Sequence, residues 1–139
     1  MAEEENRVQQ FISALPHARE LGFVVGELGE GTAELSMPYD TRLVGDPATG
    51  VIHGGAVSTL MDTCCGMSVM SHPRARGTTA TIDLRIEYMR AATPGQTILT
   101  RASCHHITRS VAFVRAMAYD DDREAPVAVA TGSFTVGDN

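Results

Sequence analysis

A single aspartate stands in the middle of a long segment that carries no other charge. Asp62 is the only charged side chain between His53 and His72. Burying an unpaired carboxylate is unfavourable, so Asp is rarely buried without partners. The residues beside it at helical spacing are small and leave room for a ligand: Ser58, Thr59, Cys65 and Gly66. A carboxylate in such a gap can act as a general base or a nucleophile. Taken alone, however, a helical Asp more often pairs with an Arg or bonds to a turn on an exposed stripe.

The segment begins with a histidine followed by two glycines, His53-Gly54-Gly55. The first N–H groups of a helix have no partner within it and lie at the positive end of its dipole. Glycine lets a substrate approach this backbone closely, and the N–H groups suit a carbonyl oxygen that gains negative charge. Alone, His-Gly-Gly indicates a flexible turn with His53 as the helix cap. The combination is more informative, because Asp62 follows His53 by nine residues, about two and a half helical turns.

A long helix and a curved sheet are needed to position these residues. Apolar residues occur on nearly every side of the helix predicted over Gly54 to Ser71, which indicates that protein surrounds it. A flat sheet cannot surround a helix, so the sheet must curl around it in an α+β arrangement. A loop is predicted over Tyr39 to Gly50. The pattern also predicts a short amphipathic helix and six strands: Arg7 to Leu15, then Leu21 to Leu28, Thr32 to Pro38, Thr79 to Met89, Gln96 to Ile107, Ser110 to Tyr119 and Pro126 to Val136.

Length and charge limit the class of protein. The 139 residues suit one domain with its own core, predicted over residues 1–139 with residues 1–20 as an N-terminal helical extension. The net charge of -6 argues against a nucleic-acid partner, since neutralising phosphates needs a basic face. No stretch approaches the run of about 18 apolar residues that a membrane helix needs. The acidic N-terminus lacks the features of a signal peptide, so a cytoplasmic protein is expected.

Cysteine and histidine spacing gives no indication of a metal site. Cys64, Cys65 and Cys104 are an odd set without a Cys-x-x-Cys pair, and small core residues are the better interpretation. His105 and His106 are adjacent on a predicted strand, where neighbouring side chains point to opposite faces. No metal is therefore predicted.

The segment resembles a known enzyme family. His53-Gly54-Gly55, Leu60 and Asp62 are similar to the signature H-G-G-x-x-x-x-L-x-D of the hotdog thioesterases of the phenylacetate-degradation (PaaI-like) type. The segment Tyr88-Met89-Arg90 with Pro94-Gly95 resembles the "YLRP…G" segment of that family. The resemblance covers roughly Leu21 to Val136. It implies a hotdog fold, in which a curved antiparallel sheet of about six strands wraps one long helix. It also implies hydrolysis of acyl-CoA thioesters without a metal or redox cofactor, with coenzyme A present as part of the substrate.

The resemblance assigns roles to individual residues. Asp62 would activate water or attack the thioester carbonyl, and the Gly54 N–H of a facing subunit would polarise that carbonyl. His53 would shape the loop, and Gly55 would lie against the substrate. Thr81 matches a position where family members often place a hydroxyl that orients water. The alternation of its strand nevertheless places Thr81 on the face opposite to four apolar residues: Ile82, Leu84, Ile86 and Tyr88.

Two further features concern substrate binding. The phosphates of CoA need cations at the mouth of the site, and the candidates are Arg90 and Arg109, with Ser110 beside the latter at a predicted hairpin tip. Many family members carry an Asn six residues before the His, and Pro47 stands at that place here, with Asp46 and Thr49 nearby. Either another group of the loop replaces the Asn, or the rate or substrate range differs.

Two other functions remain open from the sequence. One is a hotdog hydratase or dehydratase acting on an enoyl thioester, and the other is a non-catalytic acyl-CoA-binding module that tolerates the loss of Asp62. In every case a homodimer is expected, because a sheet of about six strands and one long helix leave an uncovered edge that pairing would cover. A homotetramer of two dimers is compatible with the same sheet. The sequence does not indicate the acyl group.

Overall fold

The computed structural model describes residues 2–137 and, within them, every side chain except that of residue 4. Met1, Asp138 and Asn139 of the predicted domain lie outside the described residues. The helices are α1 (Ala2–Ala14), α2 (Pro16–Glu20) and α3 (Gly54–Met70), with a 3-10 turn at Thr41–Leu43. The strands are β1 (Val24–Gly29), β2 (Thr32–Met37), β3 (Val44–Asp46), β4 (Val51–Ile52), β5 (Thr81–Tyr88), β6 (Ile98–Ile107), β7 (Val111–Tyr119) and β8 (Ala128–Thr135).

Six of the strands form one antiparallel sheet in the order β1-β2-β6-β7-β8-β5. Helix α3 crosses this sheet and buries an apolar face that includes Val57, Leu60, Met61 and Cys64 against β2, β6 and β7. The predicted α+β architecture, a six-stranded antiparallel sheet on one long helix, is confirmed. In the chain described, β5 pairs with β8 alone, so it is an edge strand whose other side offers backbone groups for pairing.

The sheet does not surround α3 completely. One stripe of the helix, comprising Ser58, Thr59, Asp62, Thr63 and Gly66, is only half-buried. The prediction of protein on every side is therefore not met within one chain. The polar side chains of this stripe explain the finding, because they lose little by facing water.

The N-terminal extension holds the far end of α3. Val8 and Ile12 of α1 are buried in the core, and the Arg7 guanidinium donates to the Met70 carbonyl at 3.2 Å. A cation at the C-terminal end of a helix satisfies free carbonyls and complements the dipole. Pro16 follows the first helix as predicted, but it also opens α2, where a missing N–H at the first position has no consequence.

The predicted loop before α3 contributes one strand, β3, to a small sheet in front of the helix. Strand β3 pairs with β4 directly before His53. A side chain at Gly45 would meet the His53 backbone Cα at 2.8 Å, so a glycine is needed for β3 to pass this close. The small sheet thus fixes the chain where it enters α3.

No helix among residues 2–137 has both the length and the apolar character needed to cross a lipid bilayer.

Candidate active site

Asp62 has a hydroxyl partner on the neighbouring edge strand. The Thr81 Oγ1 donates to Asp62 Oδ1 at 2.6 Å. Asp62 forms no ion pair with an Arg in the part of the chain that the structure describes. This argues against the interpretation of Asp62 as an exposed helical Asp that pairs with an Arg. A carboxylate held by one hydroxyl keeps its second oxygen available for a proton or for a substrate.

An open groove runs along this pair. It has a volume of about 550 Å³ and lies between the open stripe of α3 and strand β5, with His17 of α2 at its border. Ser58 and Thr59 form its helix side beside Asp62, and Ile82, Leu84 and Ile86 form its apolar strand side. Asp83 also lines it, so the groove combines two acidic groups with apolar surface on which an acyl group could lie.

A β-bulge brings Thr81 to Asp62. Thr81 pairs with Phe134 and Asp83 pairs with Ser133, so Ile82 is an extra residue in β5. The extra residue reverses the alternation, which places Thr81 on the same face as Leu84, toward the helix, and leaves Ile82 56% exposed. Gly132 permits the bulge, because a side chain there would run into the Asp83 carbonyl oxygen. The predicted alternation is wrong at Thr81 and Ile82, and the structure places the Thr81 hydroxyl on Asp62, while a role of that hydroxyl in orienting water stays a prediction.

His53 caps the start of α3 with its own side chain. Its Nδ1 accepts the Gly55 N–H at 2.7 Å, while its backbone is extended. Because Nδ1 is the acceptor, a neutral His53 carries its proton on Nε2. A side chain on Gly55 would meet His53 Nδ1 at 2.9 Å, so the second glycine is needed for this cap. His53 is therefore the helix cap, whereas the approach of a substrate to the two glycines stays a prediction.

Two side-chain hydroxyls of α3 donate to the same backbone carbonyl near the start of the helix. Ser58 Oγ and Thr59 Oγ1 each donate to the Gly55 carbonyl at 2.9 Å. Tyr88, at the end of β5, donates its hydroxyl to the Gly54 carbonyl at 2.8 Å. The sequence pattern placed Tyr88 with the core-facing residues of its strand and gave no indication of this contact. Its side chain is 51% exposed.

The Gly54 N–H is the free donor of this helix start. Within residues 2–137 it donates no hydrogen bond, in keeping with the first position of a helix. Gly54 and Asp62 are eight residues apart on α3, about 12 Å at 1.5 Å per residue. One carbonyl group cannot contact both at hydrogen-bonding distance. Within a single chain, the Gly54 N–H and the Asp62 carboxylate therefore cannot act on the same carbonyl group.

Arg90, a predicted CoA-binding residue, is engaged inside the protein. Its guanidinium donates two bonds to the Asp120 carboxylate, each of 2.7 Å, and a further bond to the Ala125 carbonyl at 2.8 Å. The Asp120 side chain is buried and also accepts from Thr93. The Arg90 guanidinium holds the pKa of the Asp120 carboxyl well below its usual range. These contacts favour a structural role for Arg90, joining the end of β5 to the β7–β8 turn.

Replacing Arg90 by Ala is expected to lower the free energy of unfolding by about 3 kcal/mol, because a buried carboxylate loses its partner. The contribution of the pair is present above the ordinary pKa of an Asp and is lost as pH falls toward the lowered value. Denaturant unfolding at neutral and acidic pH measures both effects. Arg109→Ala, which changes an exposed side chain, is the matched control. A rise in KM for a CoA thioester with unchanged stability would restore the predicted CoA-binding role of Arg90.

Arg109 and Ser110 lie in the exposed turn between β6 and β7. The Arg109 carbonyl accepts a bond from Arg76, and the Ser110 carbonyl accepts one from Val136. No hydrogen bond within residues 2–137 joins either residue to Asp62 or Gly54. Their role at the mouth of a site stays a prediction.

The loop position where an Asn was expected presents an exposed Pro47. Of the nearby candidates, Asp46 bonds the Thr49 hydroxyl at 2.9 Å and the Ala48 N–H at 3.0 Å, so both polar side chains serve the turn itself. In this chain they provide no replacement for the Asn at Asp62.

The cysteines are poor nucleophiles. Burial raises the pKa of the Cys65 thiol to about 12, with a smaller contribution from the nearby Asp62 carboxylate. Burial likewise raises the pKa of Cys64 and Cys104. A thiol, rather than the thiolate that reacts, is thus expected at all three positions.

A second β-bulge, in β6, shows that the prediction of opposite faces for His105 and His106 is wrong. His106 pairs with Phe113 and Cys104 with Val114, so His105 is the extra residue. Both histidines are therefore exposed, rather than on opposite faces of the strand. No group of three or more His, Cys, Asp or Glu side chains among residues 2–137 is placed to hold a metal ion. The absence of a cofactor stays a prediction.

Comparison with known proteins identifies the family. Residues 49–127, more than half of the chain, match the family model described as Thioesterase superfamily. The chain belongs to the thioesterase superfamily. The matched region contains His53, Gly54, Asp62, Thr81 and Tyr88, so the Thr81–Asp62, His53–Gly55 and Tyr88–Gly54 hydrogen bonds all lie within it. Helix α2, which borders the groove through His17, lies before this region, as does α1.

Individual relatives agree with this membership. The medium/long-chain acyl-CoA thioesterase YigI of Salmonella typhimurium is 25% identical over 142 residues, covering 93% of this chain and 90% of its own length. A crystal structure from Pseudomonas aeruginosa has a TM-score of 0.84 and 40% identity, with 94% of this chain and 96% of that chain covered. The PaaI protein of the Escherichia coli phenylacetic acid degradation operon has a TM-score of 0.87 at 16% identity, covering 99% and 96%. The predicted hotdog fold is confirmed, and the predicted resemblance to thioesterases is confirmed at the level of the superfamily.

Proposed function

We propose that this thioesterase-superfamily protein hydrolyses acyl-CoA thioesters to a free acid and coenzyme A, with Asp62 as the general base or nucleophile. The observation that carries the proposal is the Asp62 carboxylate, held by Thr81 in an open groove whose strand side includes the apolar Ile82, Leu84 and Ile86. The YigI relative, described as a medium/long-chain acyl-CoA thioesterase, supports CoA as the leaving group.

The chemistry follows from the contacts of Asp62. As a base, the carboxylate takes a proton from water while the water oxygen attacks the thioester carbon. As a nucleophile, it attacks that carbon itself, and water later cleaves the resulting anhydride. Thr81 donates its hydrogen to Asp62 Oδ1, so its oxygen lone pairs can accept a bond from the attacking water. In either case the C–S bond breaks, and the sulfur leaves as CoA thiol after taking up a proton.

The Gly54 N–H would stabilise the negative charge that develops on the carbonyl oxygen. Because Gly54 and Asp62 of one chain are about 12 Å apart, we infer that each site combines Asp62 of one subunit with Gly54 of a second copy. The free edge of β5, next to the groove and bearing the exposed Ile82, is the surface that supports such pairing. A two-fold axis then creates two equivalent sites. A homotetramer and a cytoplasmic location stay predictions.

The acyl group would lie along Ile82, Leu84 and Ile86. These side chains form the strand side of the groove, and burying an apolar chain against them is favourable by about 25 cal/mol per Å². The chain length that fits depends on how the second subunit covers the groove.

A panel of acyl-CoAs is expected to give free thiol with the purified protein, measured with a thiol-reactive chromophore. Loss of the enoyl absorbance without thiol release would instead indicate a hydratase. Binding without either change would indicate a non-catalytic acyl-CoA-binding module. A boiled sample and free CoA added to the protein are the controls for chemical hydrolysis and for thiol consumption.

A further inference from the structure

Two consecutive peptide groups determine the direction of the Gly54 N–H. In the first, the His53 carbonyl accepts the Ala56 N–H at 3.0 Å and the Val57 N–H at 3.4 Å, an irregular start for a helix. The Gly54 N–H at the other end of this peptide is free. Two glycines in a row lack side chains that would restrict rotation, and first turns of helices readily fray. The free N–H therefore needs other contacts to keep one direction.

The second peptide, between Gly54 and Gly55, is held by side chains at both ends. His53 Nδ1 accepts its N–H at 2.7 Å, and Tyr88 donates its hydroxyl to its carbonyl at 2.8 Å. The bond from His53 is local, whereas Tyr88 lies 34 residues away on a strand of the sheet. The Tyr88 ring also covers Gly54, since a side chain there would meet ring atoms at 3.6 Å. Tyr88 thus ties a flexible helix start to a rigid element.

Strand β5 supports both halves of the proposed chemistry. Thr81, at its first position, holds the Asp62 carboxylate, and Tyr88, at its last position, holds the Gly54 peptide. A single strand therefore contacts both the Asp62 carboxylate and the helix start that carries the Gly54 N–H, while α3 sets the distance between them. In a two-fold pair, the same strand would hold each of these groups toward its counterpart on the other copy.

We propose that Tyr88 is a positioning residue of the reaction: its hydroxyl holds the Gly54–Gly55 peptide and thereby restricts rotation of the Gly54 backbone, so that the Gly54 N–H of the preceding peptide keeps pointing at the thioester oxygen. This inference rests on the proposed thioesterase function. Donors that are already oriented need no reorganisation when charge develops, so the benefit falls on the transition state and not on substrate binding. The Tyr88 hydroxyl gives its hydrogen to a backbone carbonyl and takes no part in proton transfer.

The test is Tyr88→Phe, which removes one oxygen and keeps the ring over Gly54. Loss of one hydrogen bond that orients the donor is expected to lower kcat about tenfold, with KM and the pH profile of kcat unchanged. Tyr119→Phe is the matched control, because the Tyr119 hydroxyl contacts Met117 Sδ at 2.9 Å on a different strand. Amide hydrogen exchange at Gly55, followed by NMR, is expected to quicken in Tyr88→Phe and to stay unchanged in Tyr119→Phe.

The possible outcomes distinguish a failure of the proposed role of Tyr88 from a failure of the proposed thioesterase function. Wild-type protein without thiol release would overturn both. Wild-type turnover with an unchanged kcat in Tyr88→Phe would overturn the role of Tyr88 alone. A higher KM, or a shifted pH profile, would assign Tyr88 to substrate binding or proton transfer instead. If the melting temperature of Tyr88→Phe falls with kcat, a Gly55 exchange rate equal to that of wild type still contradicts the proposal.

Discussion

Asp62→Asn is expected to lower thiol release about a thousandfold and to leave the protein folded. Asparagine has the shape of aspartate, and its Oδ1 can still accept the Thr81 hydroxyl, so the contact at 2.6 Å has a counterpart in the variant. The amide has no negative charge, and it neither removes a proton from water nor attacks a carbonyl. Loss of a general base lowers rates by about 10² to 10⁴-fold, which gives the expected magnitude. Thiol release at saturating acyl-CoA measures it.

Glu87→Gln is the matched control for this variant. Glu87 lies on β5, the strand that borders the groove, but its side chain is exposed and pairs with Arg85 at 3.5 Å. The same carboxylate-to-amide change at Glu87 should therefore leave turnover at the wild-type level. Asp62→Asn is also expected to bind acyl-CoA, because the groove is unchanged in shape. Calorimetric titration of the variant checks this point. Turnover equal to wild type in Asp62→Asn would remove Asp62 from the chemistry and favour another group.

The long helix and its aspartate could be predicted from the sequence because their signals are local. Apolar residues at helical spacing, a cap at His53 and the glycines after it all lie within one continuous segment. The sheet could be predicted for a similar reason, since each strand alternates over its own length. The distance between Gly54 and Asp62 could also be calculated from their spacing along the predicted helix. That distance alone is a physical reason for expecting a second subunit in the site.

The bulges could not be predicted from the same alternation. Thr81, Ile82 and Leu84 continue a regular pattern in the sequence, and the extra residue exists only relative to the strand that β5 pairs with. The available signal was a glycine inside the partner strand, Gly132, which commonly marks a bulge or a close approach. The same limitation affected the adjacent histidines, whose extra residue depends on pairing with β7.

Contacts between residues that are distant in the sequence could not be predicted either. Arg90 meets Asp120 across 30 residues and Tyr88 meets Gly54 across 34. A lone Arg near a proposed site is equally compatible with a phosphate ligand and with a buried carboxylate. The choice depends on which partner the fold brings within reach, and here it brings a buried aspartate.

Gly54→Pro is expected to lower kcat about a hundredfold, because proline removes the one N–H that is proposed to face the thioester oxygen. The substitution suits the backbone. Proline is favoured at the first position of a helix, and His53 before it has φ -61° and ψ 135°, the extended conformation that a residue before proline prefers. Gly54→Ala is the matched control: it retains the N–H, and its side chain would lie 3.6 Å from the Tyr88 ring, an ordinary contact. An equal loss in both variants would indicate crowding and not the missing donor.

Mixing the two inactive variants tests whether the site is shared between subunits. In a mixed dimer of Asp62→Asn and Gly54→Pro, one site combines two altered groups, while the other combines an intact Asp62 with an intact Gly54. Random exchange in equal amounts makes half of the dimers mixed, so activity should recover to about a quarter of wild type. Differently tagged subunits, co-expressed and purified by both tags, give the mixed dimer directly, with about half of wild-type activity expected. If purified mixed dimers stay inactive, both groups act within one chain. The separation of about 12 Å along α3 would then have to be bridged by a group other than the Gly54 N–H.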